Sequence, residues 1–299
     1  MLKSLLRRAL AALGLSMLLV AVPTSAATPQ HARPALWAVS DADTTIYLFG
    51  TIHLLPDTLE WRTPTFNKAV DGSSQLVVET IIDQQNPQAF QAIELQLGVH
   101  PGLPPIVDRV PPATVPRLRA AIAKTGIPEQ AFDRMETWLA AIQLLAVQFR
   151  EMGLKGSDGP EEILRQTFLT THRPIGELET NLDQLKYFDT LSEQAQRELL
   201  QGSVEEPDSM VKEFGGMLTS WSKGDVKGIA KTFDQDLAAS PELRQALILQ
   251  RNANWSKWIE RRMAQPGQIM IAVGAGHLAG PDSVIALLKK DGYRVRRVQ

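Results

Sequence analysis

The sequence predicts a mixed α/β protein: a central β-sheet carrying a large α-helical insertion. Apolar runs with strand character gather at the two ends of the chain and once in the middle. The stretches between them carry apolar residues at three- and four-residue steps, the period of helices. Two of the runs also end alike, Thr45–Phe49 in Gly50-Thr51-Ile52-His53 and Gln268–Val273 in Gly274-Ala275-Gly276-His277. Glycine at a strand end permits a tight backbone turn, which aims the following side chains over the strand's C-terminal edge. In open α/β sheets ligands bind at that edge, so the two histidines meet over one crevice if their strands are neighbours.

Residues 1–26 read as a secretory signal peptide: Lys3, Arg7 and Arg8 precede a short apolar run from Ala9 to Val22, and small residues follow at Thr24–Ala27. The mature protein is therefore expected in the periplasm or secreted, with no stable membrane insertion once the leader is cleaved. A linker, residues 27–35, leads into a domain over 36–299. Its α/β core is expected from about 36–85, 172–180 and 265–299, with helices inserted between. Leu36–Ser40 and Thr45–Phe49 read as strands joined by Asp41-Ala42-Asp43. Pro64–Val70 reads as a short helix, and Gln75–Thr80 as a buried strand containing Glu79. Pro128–Met152 reads as one long helix, with Phe132, Met135, Leu139 and Ile142 on one face. Ser157 or Asp158 is expected to cap the next helix, opened by Pro160, Glu161 and Glu162. Arg173–Glu179 reads as a short strand that ends in acid. Helices follow over 181–264, punctuated by Gly202, Gly215-Gly216, Gly224 and Ser240-Pro241, and the last of them places Arg251 and Trp255 on one face. A helix over Pro281–Lys290 and a strand over Tyr293–Val298 close the chain.

Composition narrows the chemistry. The 299 residues are 44% hydrophobic and 21% charged, enough to bury a substantial core. There is no cysteine, which removes disulfides, lipid-bearing cysteine and thiolate metal sites. Losing Lys3, Arg7 and Arg8 takes the formal net charge from −2 to −5, against a nucleic-acid partner. No Gly-x-Ser-x-Gly elbow or phosphate loop is present.

Four groups are expected at strand ends: His53, Glu79, Glu179 and His277. Two imidazoles with one or two carboxylates suit a divalent ion such as zinc, manganese or cobalt, with a position left open for water. Each group also has a plainer role open to it. A strand-end histidine can be hydrogen-bonded packing, and a strand-end glutamate can face water. Arg251 and Asn252 are either helix-surface residues or an anion-stabilising cation and an amide donor beside the site. His100 and His172 have no partner pattern and are taken as structural or solvent-facing.

At these residues the chain resembles the TraB/GumN family, to which the Tiki-type membrane-associated metalloproteases are related. The matching features are Tyr47–His53, Leu76-Val77-Val78-Glu79, Leu178-Glu179-Thr180, Arg251-Asn252 with Trp255, and Val273–Leu278 with Gly280-Pro281. They span nearly all of the mature chain in the family's order. The resemblance implies a core like that of erythromycin esterases and of a haem-associated lipoprotein family, with an active centre of paired Gly-x-x-His histidines and a glutamate. Carried over, it implies His53, Glu79 and His277 as the main site residues with Glu179, Arg251 and Asn252 in support. His53, His277 and Glu179 are then expected to bind the ion, Glu79 to be either a ligand or the catalytic base that activates water, and Arg251 and Asn252 to steady the developing oxyanion. Gly176-Glu177-Leu178-Glu179 departs from the family's Gly-Leu-Glu; Glu179, flanked by Leu178 and Thr180, is assigned over Glu177. The expected activity is metal-dependent hydrolysis of a peptide or protein substrate, with the helical insertion as the wall of the cleft. The alternatives are a non-catalytic metal- or haem-binding protein and a metal-free ester hydrolase using His53 with Glu79. The oligomeric state is not specified by the sequence.

Overall fold

A computed structural model describes residues 30–52, 55, 59–82, 86–151, 159–204, 207–237 and 240–299. The signal peptide, His53, Ser157 and Asp158 lie outside the described residues. Eight strands are described: β1 (Gln30–His31), β2 (Leu36–Ser40), β3 (Thr44–Thr51), β4 (Leu59–Glu60), β5 (Leu76–Val78), β6 (Ile175–Glu177), β7 (Gly267–Gly274) and β8 (Val295–Arg297). Six of them form one sheet in the order β6-β5-β7-β3-β2-β8. β6, β5, β7 and β3 are mutually parallel, and β2 runs antiparallel to β3 and to β8. β1, from residues expected in a linker, instead pairs with β4.

The mixed α/β architecture and the central sheet are as the sequence predicts. Alternation along the strands divides the core in two. Ile46 and Leu48 of β3, with Ile269, Ile271 and Val273 of β7, face the helices Gln250–Met263 and Val284–Lys290. Phe49, Met270 and Ala272 face the larger helical insertion, where Phe66, Trp138, Phe168 and Trp221 are buried. Among the described residues, no helix is long and apolar enough to cross a membrane.

Three helical expectations are corrected. The single helix over Pro128–Met152 is instead two, Glu129–Phe132 and Thr137–Glu151. Between them the chain bonds residues 98–100: Glu136 N–H donates to Gly98 O at 2.8 Å, and His100 N–H to Arg134 O at 2.8 Å. The buried Arg109 guanidinium donates to the carbonyls of Asp133 at 2.9 Å and Met135 at 2.5 Å, drawing them out of the helical ladder. Gly215-Gly216 does not interrupt its helix but sits inside Pro207–Ser222, whose Phe214, Met217 and Trp221 are buried. That apolar anchoring outweighs a propensity cost of about 1 kcal/mol per glycine. The last helix begins at Val284 rather than Pro281, because the Ser283 hydroxyl accepts from Ala286 N–H as its N-cap.

Candidate functional site

The parallel register brings Glu79, Glu179 and His277 to one edge. β3 and β7 are neighbours, with Gly50 opposite Val273 and Thr51 opposite Gly274, so both Gly-x-x-His segments start side by side. β5 flanks β7 on its other side and β6 flanks β5, so Glu79 and Glu179 leave the same edge. Glu79 Oε1 accepts from Gly274 N–H at 2.7 Å, and Glu179 N–H donates to Glu79 O at 3.0 Å. The two acids of Glu177-Leu178-Glu179 have different partners. Glu177 accepts from Ile81 N–H at 2.8 Å, while Glu179 turns into the cluster.

Arg251 is the hub. It stands on Gln250–Met263, entered through a turn of π-helix at Gln245–Leu249 that rotates the following residues relative to Pro241–Arg244. Its Nη2 donates to Glu79 Oε2 at 2.5 Å and to Glu179 Oε1 at 2.6 Å, and its Nε donates to Glu179 Oε1 at 3.0 Å. Its Nη1 reaches Leu247 O at 3.5 Å and His277 Nε2 at 3.1 Å. The five guanidinium N–H donors thus all face protein acceptors in this arrangement. Trp255, one turn on, lies 4.6 Å from the guanidinium and donates its indole N–H to Glu179 Oε2 at 3.1 Å.

His277 lies in the 3₁₀ turn Ala275–Leu278, its ring 4.4 Å from that of Trp255. Asn252 fixes its tautomer. The amide Nδ2 of Asn252 donates to Asp282 O at 2.8 Å, which leaves Oδ1 to accept from His277 Nδ1–H at 2.7 Å. The lone pair on Nε2 is then turned inward, toward Arg251. Asn252, expected as an amide donor beside the site, is fully buried and donates one N–H of its amide to Asp282 O. It orients the histidine.

The cluster is dry: Glu79, Glu179, Arg251 and His277 are 5%, 7%, 2% and 1% exposed. With His277 neutral, two carboxylates face one guanidinium, a surplus of one negative charge. Burial pushes the Glu179 carboxyl above its usual range, against the opposing pull of Arg251. Burial alone would lower Arg251, but Glu79 and Glu179 outweigh it and hold the guanidinium firmly charged.

The structure therefore joins Glu79, Glu179, Arg251, Asn252 and His277, while His53 falls outside the described residues two positions beyond β3. Among the described residues, no three histidine or acidic side chains are set as ligands around one ion. His100 Nε2 lies 3.0 Å from Leu97 O, and His172 occupies a left-handed conformation with φ 53°. Sequence reasoning missed Gln184, whose amide donates to Glu179 Oε1 at 3.3 Å, and Tyr187, whose ring lies 5.8 Å from the Arg251 guanidinium. The spacing of Gln184 five residues after Glu179, inside a helix capped by Thr180, is the one cue the sequence holds for either.

Comparison with known proteins gives one family. The model of the TraB/PrgY/gumN family matches residues 35–297. A protein of Escherichia coli K12 described as "Uncharacterized protein YbaP" is 23% identical over 261 residues, covering 86% of this chain and 92% of that one. Its Shigella flexneri counterpart is 23% identical over 248 residues, covering 81% and 87%. No solved structure matches the chain.

Proposed function

Because this chain belongs to the TraB/PrgY/gumN family, we propose that it is a periplasmic or secreted metal-dependent hydrolase, acting on peptide bonds over the shared edge of β3, β5, β6 and β7. The observation that most supports this is the gathering of Glu79, Glu179, Arg251, Asn252 and His277 beside the strand end that leads to His53.

The donor set suits a divalent ion. An imidazole with its lone pair at Nε2, together with carboxylates, matches the ligand preferences of zinc, manganese and cobalt, and the surplus negative charge favours a cation. Such an ion lowers the pKa of a bound water, so that hydroxide is available near neutral pH. The chain's own residues divide the remaining work. His53, His277 and Glu179 are assigned to hold the ion. Asn252 keeps the His277 proton on Nδ1 and so leaves Nε2 free to ligate. Glu79, whose Oε1 accepts from Gly274 N–H, is assigned as a further ligand or as the base that takes the water's proton. Arg251 has to release lone pairs of His277 and Glu179; the freed N–H groups are then available to the oxygen on which negative charge develops.

The test is metal content by mass spectrometry on the purified chain, with His53→Ala and His277→Ala beside it, after dialysis against mixed divalent ions. Retention of about one ion per wild-type chain and loss in both variants is expected. A wild type that takes up no ion at any concentration sinks the proposal. Arg251, already a cation between the carboxylates, favours a second reading: metal-free ester hydrolysis with His53 and Glu79 as the acid–base pair. Ester turnover insensitive to chelators would select it.

A further inference from the structure

The helix that carries Arg251 and Asn252 is offset by one residue. Gln250 N–H bonds Gln245 O, five residues back, where an α-helix would bond four back. With that extra residue the eight positions from Arg244 to Asn252 span about the two turns that seven ordinarily fill, so these two side chains return to one face. In an uninterrupted helix the residue sharing that face with Arg244 would be Arg251. The inserted residue therefore turns Arg251 toward Glu79 and Glu179 and sets Asn252 in line with Arg244. Both members of that line meet Asp282. Arg244 Nη2 pairs with Asp282 Oδ2, and Asn252 Nδ2 donates to Asp282 O at 2.8 Å. One residue is thus held by its carboxylate and by its carbonyl from two turns of the same helix. Asn252 Oδ1 then accepts from His277 Nδ1–H at 2.7 Å. The four groups run from the surface, where the Arg244 and Asp282 side chains are 24% and 44% exposed, to the buried imidazole.

We propose that Arg244 is a positioning residue for His277, acting through Asp282 and Asn252. The inference rests on taking His277 as a working group of the proposed site. The Asn252 amide has two opposite settings. Turned over, it would present Nδ2 to the imidazole and Oδ1 to the Asp282 carbonyl, and the imidazole would carry its proton on Nε2, against the Arg251 Nη1 that faces that atom. The Asp282 carbonyl selects the observed setting, and Arg244 ties Asp282 to the helix on which Asn252 stands. Asp282 lies between the 3₁₀ turn Ala275–Leu278 and the helix Val284–Lys290, so no helix or strand ladder fixes the direction of its carbonyl. Ion pairs this exposed add little to stability. A pair that only fastened the helix to this turn would leave the imidazole unmoved when broken.

The experiment uses the full chain labelled with ¹⁵N-histidine, read at about pH 8, where histidine is ordinarily neutral, by long-range ¹H–¹⁵N spectra that report the tautomer of each imidazole. His277→Gln identifies the His277 signals. Arg244→Gln removes the cation, and Asp282→Ala removes the carboxylate while keeping the carbonyl. Each is expected to draw the two His277 nitrogen signals together, as the single Nδ1–H tautomer gives way to exchange, with His100 and His172 left in place. Because both substitutions break one link, the double variant is expected to move His277 no further than either single one. Lys124→Gln, which breaks a similarly exposed pair with Glu151, is expected to leave His277 where it is. An unmoved His277 in either single variant overturns the proposal. So do additive shifts in the double variant, or an equal shift in Lys124→Gln. These spectra need neither ion nor substrate. A shifted His277 in a chain that takes up no ion keeps the positioning role and removes the hydrolase proposal; an unshifted His277 in an ion-binding chain does the reverse.

Discussion

Replacing Arg251 with methionine retains much of the side chain's stem against Trp255 while deleting the guanidinium that spans Glu79, Glu179 and His277. The two ion pairs it removes, at 2.5 and 2.6 Å, are nearly sealed from water, with side-chain exposures of 2% for Arg251, 6% for Glu79 and 5% for Glu179. Stripping one partner from a buried ion pair costs about 3–5 kcal/mol, because the charges left behind stay desolvated. For a chain of this size each kcal/mol lowers Tm by about 2–4 °C, so a fall on the order of 10 °C is expected. The pH dependence follows from Glu179, whose carboxyl burial already raises and whose largest opposing influence is Arg251. Without the guanidinium the folded-state value rises further, so the folded variant holds a proton that the unfolded chain releases. Its stability therefore falls as pH rises through that window and recovers on acidification, and the deficit against wild type should be larger at about pH 8 than at about pH 5. Calorimetry at both pH values, with and without millimolar zinc, manganese or cobalt, measures it; under the metal-centre proposal the ion stabilises the variant more than the wild type, since it no longer competes with Arg251. A loss below about 1 kcal/mol, or a deficit that does not shrink on acidification, would refute the account of a guanidinium neutralising two buried carboxylates.

Two further outcomes are expected. Asn252→Leu leaves His277 Nδ1–H and Asp282 O without their shared partner, and each orphaned group costs about 1–3 kcal/mol, read as a lower urea midpoint. Glu94, on the helix Pro87–Gly98, has its carboxyl pushed up by burial to about 7, so the folded state binds its proton more tightly than the unfolded chain does. Stability from this group is present below the ordinary value of 4.5 and is lost as pH rises toward about 7. Glu94→Gln should therefore match or trail wild type in acid and exceed it above neutrality; parallel denaturant-midpoint curves across that range would contradict this.

The strand ends were legible because their information is local. An apolar run closed by glycine, as at Phe49-Gly50 and Val273-Gly274, marks a buried strand and its exit, and both lie where the sheet places them. The acids after Leu76-Val77-Val78 and Leu178 were legible for the same reason. The break at Asp133–Glu136 was not, because the apolar period continues across it. What stops the helix is the Arg109 guanidinium, arriving from 24 and 26 residues earlier in the chain to bond the Asp133 and Met135 carbonyls.

By itself the sequence determined the α/β class and marked two strand ends of the Gly-x-x-His form, and it singled out Glu79, Glu179 and His277, which meet in one cluster. It also pointed to Arg251 and Asn252 as neighbours of the site. It did not determine their bonds. Arg251 meets Glu79 across 172 positions and Glu179 across 72, and no periodicity reports which acceptor a guanidinium chooses over such separations. The tertiary structure decided that Arg251 is an ion-pair hub, that Asn252 orients His277, and that Gly50 stands where a Cβ would meet Ala275. Strand and helix are set by neighbours a few residues away, whereas buried polar groups must find partners wherever the packed core leaves them, because leaving them unbonded costs more than the core can spare.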